Sequence, residues 1–144
     1  MTIPGVKEKV LFLCNHNSAR SQMAEGLLKS LYGEHYEAYS AGSNPSSVNP
    51  FAVKVMGEVG VDISRNRSKS INEFEGMKFD HIVTVCNREG EACPFFPGGK
   101  TYLHEAFEDP VTVDGTLHKK IDAFRKTRDE IKDWIKETFE VSEC

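Results

Sequence analysis

Positive charge is in short supply in this chain: 18 lysines and arginines face 22 aspartates and glutamates, for a formal charge of −4. That balance excludes a general polyanion binder such as a nucleic-acid protein, which carries a basic face, so any anion site has to be local. Long apolar runs are missing too. The amino-terminal MTIPGVKEKVLFLC holds a run far too short for a signal peptide or a membrane span, and the expectation is a cytoplasmic protein that does not engage membranes. Proline occurs only six times in 144 residues, and no low-complexity tract, internal repeat or linker is evident. With 39% hydrophobic and 28% charged residues, residues 1–144 read as one soluble domain, expected to act as a monomer and able to bury about two thirds of its unfolded surface. Cysteines number four, and in a reducing compartment they are read as catalytic or metal-binding rather than as structural disulfides. A zinc site would join Cys86 and Cys93 to His81 or His104, but the six residues between these cysteines exceed the roughly two to four of a zinc knuckle. No metal or cofactor is assigned.

What the chain does have is the stretch Val10-Leu11-Phe12-Leu13-Cys14-Asn15-His16-Asn17-Ser18-Ala19-Arg20-Ser21. Four consecutive apolar residues bounded by polar turn formers predict a buried strand of a parallel sheet. Beyond Ser21 the period changes: Met23, Ala24, Leu27, Leu28 and Leu31 recur at helical spacing, which puts Arg20 and Ser21 at a helix N-terminus. The loop from Asn15 to Ala19 can therefore wrap its N–H groups around a tetrahedral oxyanion at the positive end of the helix dipole. Arg20 can hold two oxygens of that anion with its planar fork, and the same field favours Cys14 as the thiolate, the nucleophilic form. A cysteine at a strand end would otherwise be read as packing. Here the strand before, the helix after, Asn17 able to pin the loop and Ser21 able to donate to the thiolate meet four further requirements at once.

Farther along, Tyr36 to Ser40 reads as a second strand running into Ser40-Ala41-Gly42. Asn49-Pro50 starts a second helix whose inward face is Phe51, Ala52, Val55, Met56 and Val59, with Gly60 as its stop. Ser64 to Ser70 is polar and basic; it is either a solvated loop or, through Lys69, a partner of the Cys14 loop. Phe79 to Cys86 is the clearest strand and Lys100 to His104 a short fourth one. The segment 87–94 reads as a loop or short irregular helix carrying Cys93. The last helix is placed from about His118 to Phe139, with Ile121, Phe124, Arg128, Ile131 and Ile135 on one face, Trp134 beside it and Arg128 snorkelling at the edge. Together these elements predict an α/β fold: an open four-stranded parallel sheet flanked by helices, with the anion loop after strand 1. Cys14 and Cys86 then end equivalent parallel strands and face one crevice.

LFLCNHNSARSQMAEG, with the Ser-Ala-Gly after the second strand, resembles the active-site segment of the low-molecular-weight tyrosine phosphatase superfamily, and in particular its thioredoxin-coupled arsenate reductases. Departures are His16, where many members carry glycine, and Ala19, where many carry a further cysteine. The resemblance implies that Asp109, before Pro110, is the general acid that protonates a departing oxygen. It also implies a relay in which Cys14 attacks arsenate, Cys86 attacks Cys14 to release arsenite, and Cys93 takes over the disulfide for reduction by thioredoxin or a similar dithiol. Phosphate and sulfate would compete for the loop. A phosphatase would instead hydrolyse a Cys14 thiophosphate and need neither Cys86 nor Cys93; Val111-Thr112-Val113 stands where such phosphatases usually carry tyrosines. Some reductases of this family hold potassium beneath the loop. Asn17, Glu25 and Ser40 align with that site, but Lys69 replaces its aspartate. Either its ammonium bonds to Asn17 and Ser40 and pairs with Glu25, or it points to water.

Overall fold

The computed structural model describes residues 7–86 and 94–139. Strand β1 (Glu8–Cys14) leads through the loop into helix α1 (Arg20–Tyr32), followed by β2 (Tyr36–Gly42) and α2 (Pro50–Gly57). After a 3-10 turn at Ile71–Phe74 come β3 (Phe79–Thr84), β4 (Gly99–His104), a second 3-10 turn at Pro110–Thr112 and α3 (Leu117–Thr138). All strand pairs are parallel and the sheet order is β2-β1-β3-β4, the open parallel sheet expected from the sequence.

β1 outruns its apolar core because it is paired on both sides, from Glu8 opposite Tyr36 to Cys14 opposite Gly42 on one and from Val10 opposite His81 on the other. One face of the sheet packs Val10, Phe12, Val83 and Val85 against the three helices, through Met23, Leu27, Val55, Phe124, Ile131 and Ile135. The opposite face, with Leu11, Leu13 and Ile82, is covered by Phe74 of the first 3-10 turn and by Phe96. This turn has a local cause that the apolar pattern hides: the Ser70 side chain accepts from Asn72 N–H. No helix among the described residues is long and apolar enough to cross a membrane.

Asn49 caps α2 through Phe51 N–H and Pro50 occupies the first turn, as the sequence predicts. The helix stops earlier than expected, at Gly57, and the left-handed Gly60 (φ 79°) follows three residues later. Val59 lies past the helix and is 36% exposed rather than inward-facing. Arg128 does not snorkel to water. It is buried, its guanidinium donates to Val55 O at 2.8 Å in the last turn of α2 and to Glu58 at 3.0 Å, and it thereby satisfies a carbonyl that the helix end leaves open.

Glu58 also takes two hydrogen bonds from Arg125, at 3.0 and 2.7 Å. These bonds, followed by Arg128, hold its carboxyl down at about 2. A carboxyl depressed in the folded state stabilises above the ordinary value and loses that contribution as pH falls through the depressed one. Glu58→Gln should therefore flatten the loss of thermal stability between pH 4.5 and about 2, measured as melting temperature against pH. An acid limb as steep as that of the wild type would contradict this.

Candidate active site

Cys14 is the last residue of β1, its side chain 2% exposed, and its thiol is free. It floors a pocket of about 130 Å³ lined by His16, Ser18, Ala19, Arg20, Ser46, Asp109 and Val111. The loop after it turns its carbonyls outward. Asn15 O accepts from Asn44 N–H at 2.8 Å, His16 O from Ser46 N–H and the Ser68 hydroxyl, Asn17 O from Gln22 Nε2, and Ser18 O from Asn49 N–H. With these carbonyls engaged from outside, the N–H groups of the loop are the ones left to face an anion. α1 adds its first-turn N–H groups, since Ala19 supplies no side-chain cap.

The left-handed residue of the loop is Asn17, with φ 49°, so it is not His16 that has to tolerate the unusual backbone. Asparagine is among the residues that visit this region most readily. His16 instead turns its ring outward, with Nδ1 2.9 Å from Asn44 O. Gly42 is where the loop crosses the end of β2: a Cβ there would stand 2.6 Å from Asn15 O, 2.8 Å from Asn17 N and 3.0 Å from Cys14 O. All three are backbone atoms with no rotamer to yield. Gly42→Ala should therefore displace the loop, weakening phosphate binding by about tenfold or more and lowering stability by about 1–3 kcal/mol. Calorimetric titration with phosphate and thermal melts check both, and wild-type affinity would show that the loop does not depend on this close approach.

Arg20 opens α1 with its side chain buried. Its guanidinium donates to Phe107 O at 3.2 Å and stands 3.4 Å from Asp109 Oδ2. Asp109 caps the second 3-10 turn through Val111 N–H, which engages Oδ1 and leaves Oδ2 towards the arginine and the pocket. A cation and a carboxyl group thus share the mouth of a thiol-floored cavity, and that cavity has room for a tetrahedral oxyanion rather than for a large organic group. Among the described residues the lining contributes Val111 and no phenylalanine, tyrosine or tryptophan.

Beneath the loop lies a buried polar layer. The Ser21 hydroxyl is 2.8 Å from Cys14 Sγ and accepts from Asn17 Nδ2 at 2.8 Å. Glu25 Oε1 accepts from the Ser40 hydroxyl at 2.9 Å and Oε2 from Asn66 Nδ2 at 3.2 Å, and Lys69 Nζ lies 3.7 Å from the same Oε1 that Ser40 engages. The Lys69 side chain is only 14% exposed, so it does not point to water. Nor does its ammonium take the bonds expected of it with Asn17 and Ser40. Asn17 Oδ1 is reached by the Lys69 main-chain N–H at 2.8 Å, the Ser40 hydroxyl is spent on Glu25, and the ammonium's remaining bond is to Arg67 O. The 64–70 segment is a clamp rather than a solvated loop: Lys69 O accepts from Gly42 N–H and Ser70 bridges to Gly42. Sequence reading missed Gln22, Ser46, Asn66 and Ser68 altogether. Polar residues at a helix start and in a basic loop look the same whether they face water or a neighbouring loop.

Cys86 lies two residues past β3, buried in the same apolar cluster as Cys14. It is disulfide-bonded. Cys93, and with it residues 87–93 of the loop or irregular helix expected at 87–94, lies outside the described residues. Val85 N–H donates to Leu13 O at 2.9 Å, so β1 and β3 run side by side to the point where each presents its cysteine. His81 sits near the start of β3 beside Glu8, about 16 Å of extended chain before Cys86. His104 stands 2.6 Å from the Thr84 hydroxyl. The zinc grouping of Cys86 with His81 is therefore not assembled.

Residues 9–141 match the low molecular weight phosphotyrosine protein phosphatase family. An arsenate reductase of Halalkalibacterium halodurans is 44% identical over 130 residues, 90% of this chain and 94% of that protein. Among solved structures, an arsenate reductase in a phosphate-binding state superposes with a TM-score of 0.76 at 30% identity, covering 90% of this chain and 95% of that one. A thioredoxin-dependent arsenate reductase of Corynebacterium glutamicum gives a TM-score of 0.60 at 28% identity, over 94% of this chain and 65% of that one. The resemblance seen in the Cys14 segment thus extends through the sheet to the last helix, and the chain belongs to the low molecular weight phosphotyrosine protein phosphatase family, alongside relatives named arsenate reductase.

Proposed function

We propose that this protein is a cytoplasmic, monomeric arsenate reductase that works through a relay of Cys14, Cys86 and Cys93 and is recycled by thioredoxin or a similar dithiol. The observation that carries the reading is a free, buried Cys14 thiol at the floor of an Arg20–Asp109 pocket, with a second, disulfide-forming cysteine, Cys86, at the end of the neighbouring strand.

Arsenate enters as a tetrahedral anion, held by the N–H groups of residues 15–21 and by Arg20, whose contact with Asp109 it loosens. The Cys14 thiolate attacks the arsenic(V) of hydrogen arsenate while Asp109 delivers a proton to its hydroxyl group, which leaves as water as the sulfur–arsenic bond forms. The Cys86 thiolate then attacks Cys14 Sγ. The sulfur–arsenic electron pair stays on arsenic, which departs as arsenite, arsenic(III), and a Cys14–Cys86 disulfide records the two electrons given up. Cys93 attacks Cys86, frees Cys14 and leaves a Cys86–Cys93 disulfide for the external dithiol. Phosphate and sulfate fit the same loop but cannot accept the electrons, so they compete without turning over.

In this reading Asn17, Glu25, Ser40 and Lys69 support the loop, and the Lys69 ammonium supplies internally the positive charge that a bound cation would bring. Lys69→Ala should weaken phosphate or arsenate affinity by about three- to tenfold. Exchanging potassium for sodium at constant ionic strength should leave the wild type unchanged. Marked potassium stimulation, or wild-type affinity in Lys69→Ala, would remove this role.

The function is tested by following thioredoxin-coupled oxidation of NADPH with the pure protein. Arsenate should drive it and phosphate should not. Hydrolysis of an aryl phosphate without arsenate-driven oxidation would favour the phosphatase chemistry of the family instead.

A further inference from the structure

We propose that Gln22 is a positioning residue for Cys14, acting through Asn17 to fix which way the Ser21 hydroxyl points. The argument starts at a group that can only donate. The Lys69 main-chain N–H lies 2.8 Å from one atom of the Asn17 side-chain amide, so that atom is the oxygen, and the opposite atom is Nδ2. Nδ2 stands 2.8 Å from Ser21 Oγ and donates to it. The Ser21 hydrogen is then left for Cys14 Sγ, 2.8 Å away. The hydroxyl donates to sulfur, the direction that stabilises a thiolate.

Gln22 imposes the same orientation from a second side. It is fully buried in α1 and does not line the pocket. Arg67 O, an acceptor only, is 2.9 Å from its amide, which identifies that atom as Nε2; Asn66 Nδ2 faces the opposite atom, Oε1, at 3.1 Å. Nε2 spends its other hydrogen on Asn17 Oδ1 at 2.8 Å and has a longer contact with Asn17 O at 3.3 Å. Two donors therefore converge on Asn17 Oδ1. Asn17 holds the left-handed backbone of the loop, a conformation that persists only when its surroundings over-determine it.

Gln22→Glu keeps the shape and reverses the polarity. A carboxylate would face Asn17 Oδ1, Asn17 O and Arg67 O, all acceptors, and the contact with Oδ1 is relieved if the Asn17 amide flips, giving up its bond from the Lys69 main-chain N–H. Oδ1 then faces Ser21, whose hydroxyl turns from sulfur to the amide. The proposal rests on Cys14 acting as a nucleophile and not on the identity of the oxyanion, so its failure leaves the arsenate reading standing.

The test is the pH profile of Cys14 alkylation by iodoacetamide in the reduced full-length chain, resolved by peptide mass, for wild type, Ser21→Ala, Gln22→Glu and the double variant. Both single variants should move the profile to higher pH, with alkylation at neutral pH slowed about tenfold and the same plateau in base. The double variant should show no shift beyond that of Ser21→Ala, because both act on one hydrogen bond. A lowered plateau with an unmoved profile, or a Gln22→Glu shift that adds to that of Ser21→Ala, would overturn the proposal. If Gln22→Glu does not fold, Gln22→Met removes the donor at similar volume and has to shift the profile in the same direction; an unmoved profile again overturns it.

Discussion

Cys14→Ser should abolish arsenate reduction, with turnover falling by at least about a thousandfold, while phosphate binding is retained. Both halves follow from the geometry. Cys14 Sγ is the pocket atom able to attack arsenic and afterwards to accept attack by another thiolate, and an alcohol oxygen can do neither at neutral pH. The groups that hold the anion are backbone N–H groups of the loop and Arg20, which is positioned by Phe107 O and Asp109 rather than by the sulfur. Serine is close in size to cysteine and keeps a polar partner for Ser21. Turnover by initial rate and affinity by calorimetry separate the two effects. Residual reduction within tenfold of the wild type would mean that another thiol performs the attack.

Cys93→Ser should separate one turnover from many. Arsenate binding, attack by Cys14 and release of arsenite by Cys86 need no third thiol, so a burst of about one arsenite per chain remains. Steady turnover with thioredoxin falls by about a hundredfold or more, because the Cys14–Cys86 disulfide lies in the core where an external dithiol reaches it poorly. Both cysteines are buried in the cluster between sheet and helices. Cys86→Ser should behave differently: it stops one step earlier, with arsenic still bound to Cys14 and no arsenite released. Mass spectrometry distinguishes a disulfide from an arsenic adduct. Sustained wild-type turnover by Cys93→Ser would replace the relay with direct reduction of the Cys14–Cys86 bond.

The architecture was legible where one physical signal dominates. A short run of apolar residues bounded by polar turn formers reads as a buried strand, and the change of period at Arg20 fixes where α1 begins. Asn49 and Pro50 announce a helix start by mechanism, and the structure uses both. Helix ends were harder to read to the residue: α2 stops at Gly57, and the turn that follows closes locally around the left-handed Gly60, with Val61 N–H reaching Met56 O at 3.0 Å. Contacts between distant segments leave no such local mark. The same reason explains Arg128, whose place on the apolar stripe was evident but whose carbonyl partner, 73 positions away, was not.

The candidate site divides in the same way. Cys14, Arg20 and Ser21 were readable because strand, loop and helix sit next to one another in sequence, so spacing determines geometry. The layer beneath the loop is assembled from α1, β2 and the 64–70 segment, and contacts such as Asn17 with Lys69 span 52 residues. A basic, polar stretch gives no sign of whether it faces water or a neighbouring loop. Here Gly42 lets the loop approach the end of β2, and Lys69 bonds to both, so the segment that looked solvated becomes a clamp beneath the loop.

The central claim is that sulfur supplies the two electrons that convert arsenate to arsenite. It is tested most directly by a single-turnover experiment on the fully reduced protein under nitrogen, without any added reductant, in which arsenite and free thiols are counted together. The account predicts one arsenite released and two thiols lost per chain, with phosphate in place of arsenate producing neither. Arsenite release without loss of thiols, or aryl-phosphate hydrolysis at full thiol count with no arsenite formed, would contradict it.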